Sequence, residues 1–151
     1  MRAFVAAGVV TAALACVACG GPHETARSPT WRSNAVAVIE QLQSDVAAAE
    51  VGGTTRASAA RALRSFSDLY ALSFAFADLG GCRAMVATTG SPHDVARDLV
   101  RPCASLEQAA ALFTRASTHA EPEALVRATR DVQQAEPALV QALARLRGKS
   151  L

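Results

Sequence analysis

Four cysteines carry most of the reactive chemistry in this chain: Cys16, Cys19, Cys82 and Cys103. A thiol can accept a lipid, pair with a second thiol, bind a metal or act as a nucleophile. Spacing narrows that choice. No Cys-x-x-Cys-His occurs for covalent haem, and beyond Cys16-Val17-Ala18-Cys19 no second closely spaced Cys or His pair exists to complete a zinc site. The three histidines, His23, His93 and His119, are isolated from one another. None lies in a Glu-x-x-His or His-x-x-x-His pattern, so di-iron and zinc-hydrolase chemistry has no ligand set in the sequence. Met85 and His93 could offer two soft ligands, but two lone ligands on loops make a poor site. No serine occupies a nucleophile elbow, and no glycine-rich phosphate loop is present. The reading is of a non-enzymatic protein without a cofactor or metal.

The first two cysteines close an unusual N-terminus. Arg2 is followed by an uncharged stretch, Ala3 to Ala18, and then by Cys19-Gly20-Gly21-Pro22. One cation, an apolar stretch and small residues before a cut form a bacterial export signal. A retained transmembrane helix is the competing reading. It is the weaker one, because about 20 strongly apolar residues span a bilayer and this stretch is shorter and rich in Ala. The segment resembles the signal of the bacterial lipoproteins. In that family an aliphatic residue and two small residues precede a Cys that takes diacylglycerol and becomes the new N-terminus. The resemblance covers the signal alone. Cys16 follows Ala13-Leu14-Ala15, and Cys19 follows Cys16-Val17-Ala18, which departs from the usual aliphatic first residue. Parity favours Cys19: lipid there leaves Cys82 and Cys103 as a pair, whereas lipid on Cys16 strands Cys19 as an odd thiol. Ala13-Leu14-Ala15 also fits a plain signal-peptidase cut, which would give a secreted soluble protein without lipid.

These residues divide the chain into an export signal (1–18), a lipidated Cys with a flexible tether (19–32) and a helical domain (33–151). The tether carries Gly-Gly-Pro and Ser28-Pro29 and has no apolar period. Trp31, at its end, reads as a staple packed over the first helix. The resemblance implies a protein held by lipid on the cell membrane or outer membrane, facing the periplasm or the exterior. It also allows an envelope protein partner. Nucleic acid is disfavoured, since a net charge of +2 provides no basic stripe.

The 151 residues suit one domain, and composition assigns its class. Alanine accounts for 35 residues, 14 of the 15 basic residues are Arg, and β-branched runs are few. That composition is all-α. Ser33 or Asn34 is expected to cap a first helix that runs to about Val51 and ends at Gly52-Gly53. Thr54 or Thr55 caps a second, with a core stripe at Ala59, Leu63, Phe66, Tyr70, Ser73 and Phe76 or Ala77, widened by Leu69, Leu72 and Leu79, ending at Gly80-Gly81. Ser91 and Ser105 each open a capping box, and Pro102 opposes a helix through it. A short helix near 93–101 and a longer one over 106–117 follow from that. The last helix runs from Pro122 to Arg147, with Leu125, Ala128, Val132, Ala135, Leu139, Leu143 and Leu146 on one face. Pro137 should kink or split it, and Glu123, Arg127 and Asp131 should form a charge ladder outside.

Short connections favour an up-and-down four-helix bundle. Its core bulk is expected from Phe66, Tyr70, Phe74, Phe76 and Phe113. A disulfide between Cys82 and Cys103 should close an excursion, residues 83–102, between the second and third long helices. Two buried free thiols are the alternative. The break at Pro102 is what brings Cys103 back to Cys82. If the core of this Ala-rich bundle, carrying Phe66, Tyr70 and Phe74, is incompletely filled, a pocket between the helices near the excursion 83–102 would make the domain a binder of small apolar molecules.

Overall fold

A computed structural model of the chain describes residues 29–148, and these are all-helical, with no strand among them. The export segment, Cys16, Cys19 and most of the tether lie outside the described residues. Six α-helices follow in order: α1 (Pro29–Ala49), α2 (Arg56–Ala62), α3 (Phe66–Gly80), α4 (Cys82–Thr88), α5 (His93–His119) and α6 (Pro122–Leu146). A 3-10 turn, Glu50–Gly52, follows α1.

The long helices form one helical bundle in which α1 touches α3 and α6, and α5 touches α3 and α6. Every apolar residue expected on the face of α6 is buried, from Leu125 to Leu146. Each fully enclosed leucine there contributes about 2 kcal/mol. Ile39, Leu42 and Val46 of α1 and Leu99, Leu106 and Phe113 of α5 complete the core. Trp31 joins it, within α1 rather than on a tether, because α1 begins at Pro29, four residues before the expected cap. Proline suits a first helical turn, where its missing N–H leaves no bond unmade.

The two glycines after α1 serve different ends. A Cβ on Gly52 would lie 3.2 Å from Leu125 Cδ1, so this glycine lets the turn close onto α6. Gly53 has φ +77°, a conformation that side chains resist. Thr55 then caps α2 through a reciprocal pair with Ser58.

The expected second helix is two helices. It breaks at Leu63–Ser65, and the Ser65 hydroxyl accepts the Asp68 amide to start α3. The break rotates α3 relative to the expected stripe. Its buried face is Leu72, Ala75, Phe76 and Leu79, while Phe66, Tyr70 and Phe74 stand outside. Three of the five aromatics assigned to the core therefore do not belong to it. The two that remain, Phe76 and Phe113, stack with ring centroids 4.4 Å apart.

The expected break at Pro102 is also absent. Helix α5 passes through it, and Ser105 lies inside the helix rather than at a cap. Ser91 bonds Thr89 instead of capping, with no side-chain cap at the start of α5. The interior proline costs about 3 kcal/mol. Burial of Leu99, Pro102, Cys103 and Leu106 on both sides of it offsets that cost. Likewise α6 runs unbroken through Pro137, which faces solvent.

Candidate functional site

Cys82 and Cys103 form the expected disulfide, with Cα atoms 5.3 Å apart. The route differs from the one expected. The chain bends by 55° between α3 and α4, and α4 runs on beside the first turns of α5. The excursion is thus a helical hairpin, and Cys103 reaches Cys82 because the start of α5 runs back alongside α4. Arg83 pairs with Glu107 at 3.0 Å one turn further on. Both sulfurs are enclosed, so the bond is a structural staple.

His93 and His119 are exposed, and the His119 ring lies 3.2 Å from the Arg115 carbonyl. Met85 is half-buried on α4, whereas His93 opens α5 at the surface. Among the described residues, no group of three His, Cys, Asp or Glu is arranged to hold a metal ion. The charge ladder on α6 is rearranged: Glu123 pairs with Arg56 of α2 at 2.9 Å, and Asp131 is half-buried. Burial pushes the Asp131 carboxyl up, with Arg127 opposing. Asp45 on α1 is also raised, first by burial and further by Asp78 of α3. The Gln41 amide donates to it at 3.0 Å and opposes the shift.

The distinctive surface is on α3. Phe66, Tyr70 and Phe74 recur every four residues and are 83%, 60% and 59% exposed. Spacing of four on an α-helix puts side chains one above another. The rings touch in sequence, at 6.3 Å between Phe66 and Tyr70 and 5.0 Å, edge to face, between Tyr70 and Phe74. They make a continuous aromatic ridge, not three scattered residues. Isolated exposed apolar groups are ordinary, whereas a contiguous patch is a candidate contact surface.

Beside the ridge lies a groove of about 480 Å³ between α3 and α5. Ser73, Ala77 and Gly80 form one wall and Ala110, Ala111, Thr114 and Ser117 the other, over the Phe76–Phe113 stack. The groove exists because the facing side chains are small. A Cβ on Gly80 would come within 3.3 Å of Ala110 Cβ, so glycine sets how closely α3 approaches α5. The charges on α3 are Asp68 and Asp78 alone, with no Lys or Arg.

Two further clefts are open to solvent. One of about 660 Å³ lies where the start of α1, the start of α5 and the end of α6 meet, lined by Trp31, Arg32, Asp98 and Arg145 among others. The other, about 300 Å³, is flanked by both interior prolines, Pro102 and Pro137. Phe66, Tyr70 and Phe74 line none of these three clefts, because those rings point outward. Periodicity and size alone assign the ridge residues to the core; the doubled apolar stripe on α3 is the sequence signal that one set must stand outside. Comparison of the chain with protein-family models, with curated proteins and with solved structures finds no match.

Proposed function

We propose that this protein is a lipid-anchored, non-enzymatic docking module of the bacterial cell envelope, held by Cys19 and presenting the α3 ridge to a protein partner. The observation that carries the docking role is the ridge itself, three touching aromatic rings left in solvent by a helix whose other face is buried. The anchoring role rests on the lipobox-like residues before Cys19. A protein partner suits the ridge better than a membrane does. Interfacial helices carry Lys or Arg on their polar flanks, whereas α3 carries two aspartates.

The same reading takes the four long helices as an up-and-down bundle. Phe76 meets Phe113 and Gly80 approaches Ala110; Asp98 meets Arg145 and Arg115 meets Glu121; Glu40 meets Arg147 and Gly52 approaches Leu125, so rising numbers on one side run against falling numbers on the other.

Two measurements test the reading. For the anchor, Cys19→Ala should move the protein out of the membrane fraction or block its maturation. Retention of lipid in Cys19→Ala but not in Cys16→Ala would reassign the acceptor. For the ridge, Phe66→Ser, Tyr70→Ser and Phe74→Ser together should change stability by under about 1 kcal/mol when melting is followed at sub-micromolar concentration. Exposed rings support little of their own fold. Phe76→Ala, in the core, should cost about 3–5 kcal/mol. Equal losses from the two sets would show that the ridge is structural.

A further inference from the structure

We propose that the cleft where α1 and α5 begin and α6 ends binds the phosphate of an anionic phospholipid headgroup. This inference rests on the anchoring through Cys19 argued above and adds a second, reversible contact with the membrane. The cleft, about 660 Å³, has the size of a small-ligand site. Trp31 is one of its walls and lines neither of the other two clefts described above. The residue is 8% exposed, and its indole N–H is enclosed with no acceptor among the described residues. A buried donor left unpaired is costly, so the site gains from a ligand that brings an acceptor. That N–H is closed to water as it stands, and a phosphate oxygen entering the cleft reaches it through a small turn of the ring.

The surrounding groups favour an anion. Pro92, Asp94 and Val95 belong to the start of α5, which no side chain caps, so its first amides have no partner within the helix. Such amides, together with the positive end of the helix dipole, hold phosphate groups. The first turn of α1 contains no acidic residue, and Arg32 beside it places its guanidinium 5.8 Å from the centre of the Trp31 ring. Arg97 and Arg145 line the cleft from α5 and α6. Two carboxylates oppose an anion, Asp94 and Asp98. Asp98 is matched by its ion pair with Arg145, which leaves Asp94 against Arg32 and Arg97, a balance of one positive charge.

The apolar walls distinguish a lipid from free phosphate. Trp31, Pro92, Val95 and Leu146 would stand bare around an inorganic ion but would cover the glycerol esters of a phospholipid. Tryptophan is also the side chain favoured at headgroup depth. Reach agrees with this. Pro29 lies ten residues beyond Cys19, a span of at most about 35 Å when fully extended. The chain enters the described domain at α1, so lipid on Cys19 keeps this cleft within reach of the headgroups.

Trp31 is the only tryptophan, so its fluorescence reports on this cleft alone. The test reconstitutes the native lipidated protein in phosphatidylcholine vesicles and adds brominated phosphatidylglycerol or brominated phosphatidylcholine at equal bromine content. The expected result is stronger quenching by the anionic lipid. Arg97→Gln should raise the anionic lipid needed for half-maximal quenching about fivefold, the worth of one arginine at a membrane surface, with the far-ultraviolet circular dichroism unchanged. Arg64→Gln, between α2 and α3, should leave it unmoved. Equal quenching by the two lipids, or equal effects of the two substitutions, overturns the headgroup site and leaves the anchor standing. Loss of the quenching difference in millimolar inorganic phosphate at constant ionic strength overturns the lipid as occupant in favour of free phosphate. A protein that does not sediment with the neutral vesicles overturns the anchor, and with it the premise of this site.

Discussion

Breaking the Cys82–Cys103 bond should loosen one hairpin before it threatens the bundle. The cysteines are 21 residues apart in sequence. A cross-link of that span removes about 11 cal/mol/K of entropy from the unfolded chain, or about 3 kcal/mol at 25 °C. For a domain of this size each kcal/mol shifts the melting temperature by roughly 4 °C, so reduction should lower it by about 12 °C. Chemical reduction is the cleaner perturbation, since both sulfurs are buried and remain in place. Replacement by Ser would add the cost of two enclosed hydroxyls. Hydrogen exchange then locates the effect. Among the apolar side chains of α4 and the first turns of α5, only Cys82, Val86 and Leu99 are well buried, so amides over 82–101 should lose protection first. Helix α6, with ten buried residues, should lose it last. A melting temperature unmoved by reduction would refute the loop-entropy argument. Uniform loosening of every helix would show that the staple holds the core itself.

Two further outcomes follow from particular residues. Burial raises the Asp45 carboxyl above its ordinary value of 3.8, so the folded chain holds that proton more tightly than the unfolded chain does. Stability present below that value is lost as pH rises through the folded-state pKa. Asp45→Asn should therefore melt higher than the native protein at pH 7, with the gap closing in acid; a constant gap across pH would exclude titration as its cause. Ala120 ends α5 in the left-handed conformation, φ 54°, which costs a side chain about 1–2 kcal/mol. Ala120→Gly should recover part of that and raise the melting temperature by a few degrees in a thermal scan.

How far the sequence foretold this fold depended on whether a helix had one apolar face or two. On α6 the leucines fall on a single stripe between charged residues, and the burial of that stripe follows directly. On α3 the apolar residues go almost all the way round, so periodicity offers two stripes and does not choose between them. Size suggested the aromatics. The choice was settled by Ala-rich neighbours, whose close approach favours Leu72, Ala75 and Leu79 inside. The Ser65 start signal was legible but was hidden by reading one long helix over it. Pro102 and Ser105 misled for a different reason: local breaker rules carry about 3 kcal/mol, and tertiary burial along α5 exceeds that. The disulfide was legible from cysteine parity, but not the hairpin that delivers it, which depends on the 55° bend after Gly80.

The interior prolines bear on how the domain would yield under mechanical load. Pro102 in α5 and Pro137 in α6 flank one cleft, so the two longest helices have their weak points at the same height. Each proline lacks the N–H that would tie its turn to the carbonyl four residues back, those of Asp98 and Gln133. Bending at that level therefore has one ladder bond fewer to stretch in each helix. The two hinges are not equal: Pro137 faces solvent, whereas Pro102 is packed among Leu99, Cys103 and Leu106, so α6 is the helix that bends more freely at this level.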